Sequence, residues 1–173
     1  MDFWQVIEER RSIRSYESSR DVSPSLVNKI LQAAVRAPSA GNRQPWHFVV
    51  VRKGEVRQAL AYRAAGQGFI AQAPVVIVVC ADGERSAARY GERGRRLYCL
   101  QDTAAAIAYL LLAATALGLG ACWIGAFDEG EAAEILDLPS QLRPVAMIPI
   151  GFPEELPSPR PRRGLDEVVR LIE

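Results

Sequence analysis

Residues 104–127 read AAAIAYLLLAATALGLGACWIGAF, a run of 24 positions without a charged side chain. The run is long enough to span a membrane as a helix. Nine of its residues are alanine, however, three glycines interrupt its second half, and acidic residues follow it. We therefore predict a buried helix over 101–117 and a buried strand over 121–125, with a membrane span as the alternative. A helix that is apolar on all sides must be covered on all sides, which favours a subunit interface.

The rest of the composition is that of a globular protein. The chain has 173 residues, the size of one compact domain, and 49% of them are hydrophobic. Lys and Arg number 21 against 20 Asp and Glu, so the net charge is +1. This balance gives no electrostatic reason to expect nucleic acid or a membrane as partner. The N-terminus has no signal-peptide core, which predicts a cytoplasmic protein.

Hydrophobic periodicity on both sides of this run predicts further helices and strands. The helices are expected over 2–10, 24–36, 56–61 and 128–136, and the strands over 46–51, 75–79 and 145–150. Asp2, Ser23 and Asp128 are expected to cap helices. Because the elements alternate without clean βαβ units, the predicted fold class is α+β.

Two segments differ from this pattern. Residues 82–98 are rich in arginine and acidic residues, which predicts a solvated helical face or, alternatively, a cover over a site. From Gly151 the chain becomes rich in proline and arginine, and such a segment is extended and cannot bury itself. We predict one domain over 1–173, in which 151–173 is an arm that reaches over a partner subunit; a disordered tail is the alternative.

The motifs of the common enzyme classes are missing. The chain has no Gly-x-Ser-x-Gly, no P-loop and no helix-opening Gly-x-Gly-x-x-Gly. His47 is the only histidine and the three cysteines are widely spaced, so no metal site is expected. We therefore expect a protein so poor in these groups to take its chemistry from an organic cofactor.

Three segments could hold an anionic, planar ligand. Arg10, Ser12 and Arg14 alternate, so an extended chain could present all three to one phosphate, although a chance surface cluster is the alternative. A second arginine cluster, at 160–163, lies in the arm. Residues 38–46 combine two amides, a hydroxyl and a glycine, which suits the polar edge of a heterocycle or, alternatively, an ordinary turn.

Together these segments resemble the FMN-dependent nitroreductase family. The similarity continues in order along almost the whole chain and is missing only in 82–98, and the chain is a short, single-domain member. The segments that carry it are RRSIRSY (10–16), APSAGNRQPW (37–46), AATALGLG (113–120), WIGAF (123–127) and PIGFP (149–153).

The resemblance implies a nitroreductase-like sandwich, with a mostly antiparallel sheet flanked by helices, that forms an intertwined homodimer with FMN at the interface. It implies that Arg10 and Ser12 hold the phosphate and ribityl chain, Arg14 approaches the pyrimidine edge, and Arg160 with Arg162 completes the phosphate site. The full implied cofactor set is Arg10, Arg11, Ser12, Arg14, Pro38, Ser39, Ala40, Asn42, Gln44, Gln67, Gly125, Ala126, Arg160 and Arg162.

Some of these positions have particular implied roles. Pro38, Ser39 and Asn42 would come from the other subunit, and the backbone of Gly125 and Ala126 would face the flavin N5. Related proteins often carry a Glu-Gly pair at that turn, so backbone donation is retained here while a carboxylate role is not. No side chain is implied as catalytic.

The resemblance also implies an activity. The protein is expected to be a flavoprotein oxidoreductase in which hydride passes from NAD(P)H through the flavin N5 to a nitroaromatic, a quinone or a similar small acceptor, in a ping-pong cycle. The alternatives are another flavin reaction (fragmentation, dehalogenation or enal reduction) and a non-catalytic protein that stores FMN. The residues favour neither NADH nor NADPH.

Overall fold

A four-stranded antiparallel sheet forms the centre of the computed structural model, which describes all residues from Met1 to Glu173. The strands are β1 (Trp46–Val51), β2 (Val75–Asp82), β3 (Gly120–Ala121) and β4 (Leu142–Gly151), in the spatial order β1-β2-β4-β3. Central β2 is apolar on both faces and its residues 75–80 are fully buried. The predicted antiparallel sheet is therefore confirmed.

Helices cover both faces of this sheet. They are α1 (Phe3–Glu9), α2 (Pro24–Ala34), α3 (Gly54–Ala59), α4 (Phe69–Gln72), α5 (Gly83–Arg93), α6 (Cys99–Ala116), α7 (Glu129–Ile135) and α8 (Leu165–Val168). The three predicted caps are confirmed, because the side chains of Asp2, Ser23 and Asp128 accept hydrogen bonds from the first turns of α1, α2 and α7.

The alternation of β2 divides the core into two parts. Val75, Ile77 and Val79 pack with α2 and α6 on one face. Val76 and Val78 pack on the other face, with residues that precede β2 and with α7. Because successive side chains of a strand point to opposite faces of the sheet, the apolar strand β2 packs against helices on both faces. The fold is therefore a three-layer sandwich.

Helix α6 is the predicted apolar helix, and it lies against the sheet. Ile107, Leu110 and Ala114 are buried in the core between α2 and the strands. The helical segment Gly83–Ala116 has the length and composition of a membrane span, and in this fold its α6 part is the core helix. Its opposite face is open, and Tyr109 there is 43% exposed.

Strand β3 is shorter than the predicted strand over 121–125. After Ala121 the chain leaves the ladder, and Ile124 alone returns to it as a bridge to Met147. In the register of these pairs Cys122 faces Pro149 of β4, which has no N–H to donate, so the ladder is interrupted there. An N-terminal segment pairs with the other edge of β3. Ser12 pairs in parallel with Ala121, and the Ile13 N–H donates to the Ala121 carbonyl at 3.0 Å.

The last part of the chain is extended, as predicted for the arm. The Glu154 N–H donates to the Ser15 carbonyl at 3.1 Å, which attaches the start of the arm to the N-terminal segment. From Glu154 to Glu173 every residue is exposed in the protomer. The single-domain organisation and the reach of the arm over a partner stay predictions.

Candidate functional site

A groove of about 560 Å³ lies between the N-terminal segment and the arm. Residues 7–14 form one wall, and residues 157–162 form the other. We call it the basic groove, because its lining includes Arg10, Arg11, Ser12, Arg14, Arg160 and Arg162. Two sets of predicted site residues, separated by most of the chain, are thus brought together.

The N-terminal wall of the basic groove is held against the sheet. Helix α1 ends at Glu9, and Arg10 already has extended backbone dihedrals. Ile13 is buried, and a Cβ on Gly120 would lie 2.8 Å from its side chain, so the close approach requires glycine at that position. The Tyr16 hydroxyl donates to the Ile13 carbonyl at 2.7 Å. The arginine-bearing segment therefore has a defined path.

The five guanidinium groups of the basic groove form no ion pair. Arg10, Arg14 and Arg160 donate no side-chain hydrogen bond, whereas Arg11 and Arg162 each donate only to nearby backbone carbonyls. Glu8 is the one acidic residue in the lining. Clustered cations without carboxylate partners repel one another and favour an anionic ligand, which guanidinium groups bind bidentately.

Cys122 lies behind this wall. Burial raises the pKa of its thiol, while the nearby Arg14 and Arg10 act in the opposite direction. Because the net shift is upward, the thiol is held neutral behind the arginines.

Residues Pro38–Gln44 form a second predicted element, which we call the clamped loop. Its left-handed backbone dihedrals occur at Gly41, Asn42 and Gln44, with φ of 54°, 53° and 52°. Ser39 Oγ accepts from the Gln44 N–H at 3.0 Å, and Asn42 Oδ1 accepts from Gln44 Nε2 at 3.0 Å. An unusual backbone persists only where the surroundings determine it, and these bonds are part of that support.

Asp102 on α6 holds the clamped loop to the core. Its Oδ1 accepts from the Ala40 N–H at 3.0 Å, whereas its buried Oδ2 has no hydrogen-bond partner. Burial raises the pKa of this carboxyl group, and the Ala40 N–H opposes the shift. Sequence reasoning missed Asp102; the available signal was one carboxylate in an otherwise apolar helix.

The third predicted element is the turn that follows Trp123. Gln67 Nε2 donates to the Ala126 carbonyl at 3.3 Å, so these two predicted residues meet, and Gly125 is exposed beside them. Neither this turn nor the clamped loop lines the basic groove of the same protomer. One protomer therefore presents the predicted cofactor residues as three separate elements.

An arginine-lined groove and an amide-bearing loop on an α+β sandwich have the chemistry that suits a phosphorylated ligand. Comparison with known families makes the class specific. The model of the Nitroreductase family matches residues 7–68 and 58–152 of this chain. The chain therefore belongs to the nitroreductase family, a family of oxidoreductases.

Individual relatives agree with this assignment. An NADH dehydrogenase of Thermus thermophilus is 36% identical over 187 aligned positions, covering 92% of this chain and 91% of the relative. An FMN reductase [NAD(P)H] of Bacillus subtilis is 31% identical over 169 positions, covering 90% of this chain and 68% of the relative. The crystal structure of a nitroreductase family protein from Streptococcus pneumoniae TIGR4 superposes with a TM-score of 0.89 at 28% identity, covering 99% of this chain and 100% of that one.

Proposed function

We propose that this protein is an FMN-dependent NAD(P)H oxidoreductase that reduces a small acceptor such as a nitroaromatic or a quinone. The observation that carries the proposal is the basic groove, in which Arg10, Arg14 and Arg160 have no partner within the chain. The names of two relatives, an NADH dehydrogenase and an FMN reductase, support the same donor and the same kind of cofactor.

The residues present fit FMN. Arg10, Ser12, Arg160 and Arg162 would hold the phosphate and ribityl chain, because four donors of this kind converge in one groove of about 560 Å³. The bound flavin would supply hydride acceptance from NAD(P)H and hydride delivery to the acceptor at N5, in a ping-pong cycle.

The chain itself contributes orientation and charge. Arg14 places a cation where the pyrimidine edge would lie, and a fixed cation there stabilises the negative charge that reduction produces. The clamped loop presents the amides of Asn42 and Gln44 on a backbone that needs no reorganisation. The Gln67 amide holds the Ala126 carbonyl, which orients the turn whose backbone would face N5. No side chain is required as a proton donor, since water reaches an open cleft.

We further propose a homodimer with the flavin at its interface, in the cytoplasm. The three separate elements of one protomer become a single site if the clamped loop comes from the partner subunit. Large apolar side chains are exposed at both ends of the chain, including Trp4 at 72%, Leu165 at 77% and Ile172 at 82%. Exposed apolar surface of this kind marks an interaction site.

The first test is a visible spectrum of the purified protein, before and after anaerobic addition of NADH or NADPH. A flavin spectrum that bleaches supports the proposal, and parallel double-reciprocal lines in steady-state turnover support the ping-pong order. A bound flavin that neither donor reduces would favour FMN storage. A colourless protein that takes up no added FMN would overturn the proposal.

The dimer is tested separately by native mass spectrometry. The expected mass is twice the 19.0 kDa of one chain plus two FMN. A chain that ends at Pro153 should dissociate and release flavin, because it lacks the arm with Arg160 and Arg162. A monomer of the full chain that retains FMN would contradict the interfacial site.

A further inference from the structure

A second group of arginines lies where α5 meets the clamped loop. Arg43 Nε donates to the Arg85 carbonyl at 2.9 Å, and Arg85 Nε donates to the Arg43 carbonyl at 2.6 Å. Arg89 packs one helical turn further along, where a Cβ on Gly41 would lie 3.1 Å from its Nη1. Backbone contacts thus hold the guanidinium groups of Arg43 and Arg85, and that of Arg89 lies over the Tyr90 ring, 5.5 Å from its centroid.

The terminal amino groups of these arginines are free. The reciprocal bonds of Arg43 and Arg85 use only Nε, and Arg89 makes no hydrogen bond and no ion pair. An arginine that is oriented through Nε and open at both Nη atoms is pre-organised for bidentate binding of an anion.

The acidic residues of the same segment do not neutralise this group. Glu84 pairs with Arg95 at 2.8 Å, Glu92 pairs with Arg95 and Arg96, and the Asp82 carboxylate caps α5. Of the five arginines in 82–98, Arg95 and Arg96 pair with carboxylates and Arg93 donates to the Tyr98 hydroxyl. Arg85 and Arg89 have no carboxylate partner, and neither has Arg43 in the clamped loop.

We propose that Arg43, Arg85 and Arg89 form an anion site that binds the phosphates of the nicotinamide dinucleotide donor. The inference rests on the proposed function, in which the clamped loop lies against the flavin and the donor must approach it. Of the two substrates, the donor is the polyanion, because it carries a pyrophosphate and, in NADPH, a further phosphate, whereas quinones and nitroaromatics are typically neutral. This site is distinct from the basic groove, whose arginines lie on the N-terminal segment and the arm.

The test compares donors with and without phosphate on the flavin-loaded enzyme. Arg89→Gln is the main variant, because Arg89 makes no hydrogen bond that its loss would break. We expect KM for NADPH, relative to KM for the phosphate-free hydride donor 1-benzyl-1,4-dihydronicotinamide, to rise about tenfold, which is the loss of one charge-assisted contact. Arg96→Gln is the matched control, since Arg96 is exposed on the same segment but is paired with Glu92, and its ratio should stay at the wild-type value.

Other outcomes overturn the inference. An unchanged ratio in both Arg89→Gln and Arg85→Gln excludes phosphate binding at this site. An equal rise in KM for both donors would show that the substitution affects donor binding in general and not the binding of the phosphates. That outcome also contradicts the proposal. A second NADPH-specific loss in Arg85→Gln supports it.

A redox-independent readout separates this inference from the proposed function. Calorimetric titration with 2′-phospho-ADP-ribose, the part of NADPH without nicotinamide, should show binding that Arg89→Gln weakens and Arg96→Gln retains. Absence of binding to the wild-type protein overturns the anion site even where the flavin is reduced. A flavin that no donor reduces, with binding of the fragment intact, contradicts the proposed function and supports the site.

Discussion

The clamped loop and the basic groove contain most of the candidate cofactor residues, and they differ in how many contacts these residues make within the folded chain. In the clamped loop, Ser39, Ala40, Asn42 and Gln44 are joined by hydrogen bonds within the chain. In the basic groove, Arg10 and its neighbours form no ion pair. The difference shows that contacts within the chain fix the conformation of the clamped loop. The charges of the basic groove, in contrast, have no partner in the chain and are available to a ligand. Substitutions should therefore affect stability in the loop and affinity in the groove.

The largest expected effect is a loss of stability from a substitution in the clamped loop. Gly41→Ala places a Cβ 2.5 Å from the Tyr90 hydroxyl at a left-handed φ, so the Tyr90 side chain, which makes an edge contact with Tyr98, must shift. We expect a loss of about 2–3 kcal/mol in the free energy of unfolding, measured with urea.

The matched control for this substitution is Gly66→Ala. Gly66 has a similar φ of 61° and nothing within 4 Å of an added Cβ, so it should lose only about 1 kcal/mol. Equal losses in the two variants would show that the contact of the loop with α5 contributes nothing.

The second expected effect is a loss of FMN affinity from a substitution in the basic groove. Arg14→Gln should weaken FMN about tenfold without changing the melting temperature, because Arg14 donates no hydrogen bond and forms no ion pair in the folded chain. Quenching of flavin fluorescence measures the affinity. Arg36→Gln removes another exposed, unpaired arginine outside the groove and should leave the affinity unchanged. A lower melting temperature in Arg14→Gln with unchanged affinity would reverse the roles given to the two regions.

The smallest effect concerns pH and Asp102. Burial raises the pKa of this carboxyl group above its unfolded value, so ionisation opposes folding. The contribution of Asp102 to the free energy of unfolding, measured as the difference between the wild type and Asp102→Asn, should therefore decrease as pH rises from about 4, the unfolded pKa, up to the folded pKa, and stay level above it. Asp102→Asn keeps an oxygen for the Ala40 N–H and should lose this decrease. Urea unfolding between pH 4 and 7 measures it, and identical pH profiles would show that Asp102 ionises without cost.

Much of the fold follows from local pattern. The continuous apolar run of β2, the apolar α6 and the caps at Asp2 and Ser23 were all readable, because each depends on residues a few positions apart. The alternation of Arg10, Ser12 and Arg14 likewise predicted one face toward a ligand, and the three lie in one groove. The strand over 121–125 was predicted too long, because the pattern of one segment does not show that Cys122 faces Pro149, which has no N–H for the ladder.

The sequence by itself determined which segments are helix, strand and arm, and which family the chain resembles. Only the tertiary structure decided that Arg160 and Arg162 join the N-terminal arginines, that Asp102 holds Ala40 across 62 positions, and that Arg85 meets Arg43 across 42. The physical reason is the separation along the chain over which each interaction acts. Capping and hydrophobic periodicity act between near neighbours and leave a pattern in the sequence, whereas contacts between distant segments arise only when the packed core brings those segments together.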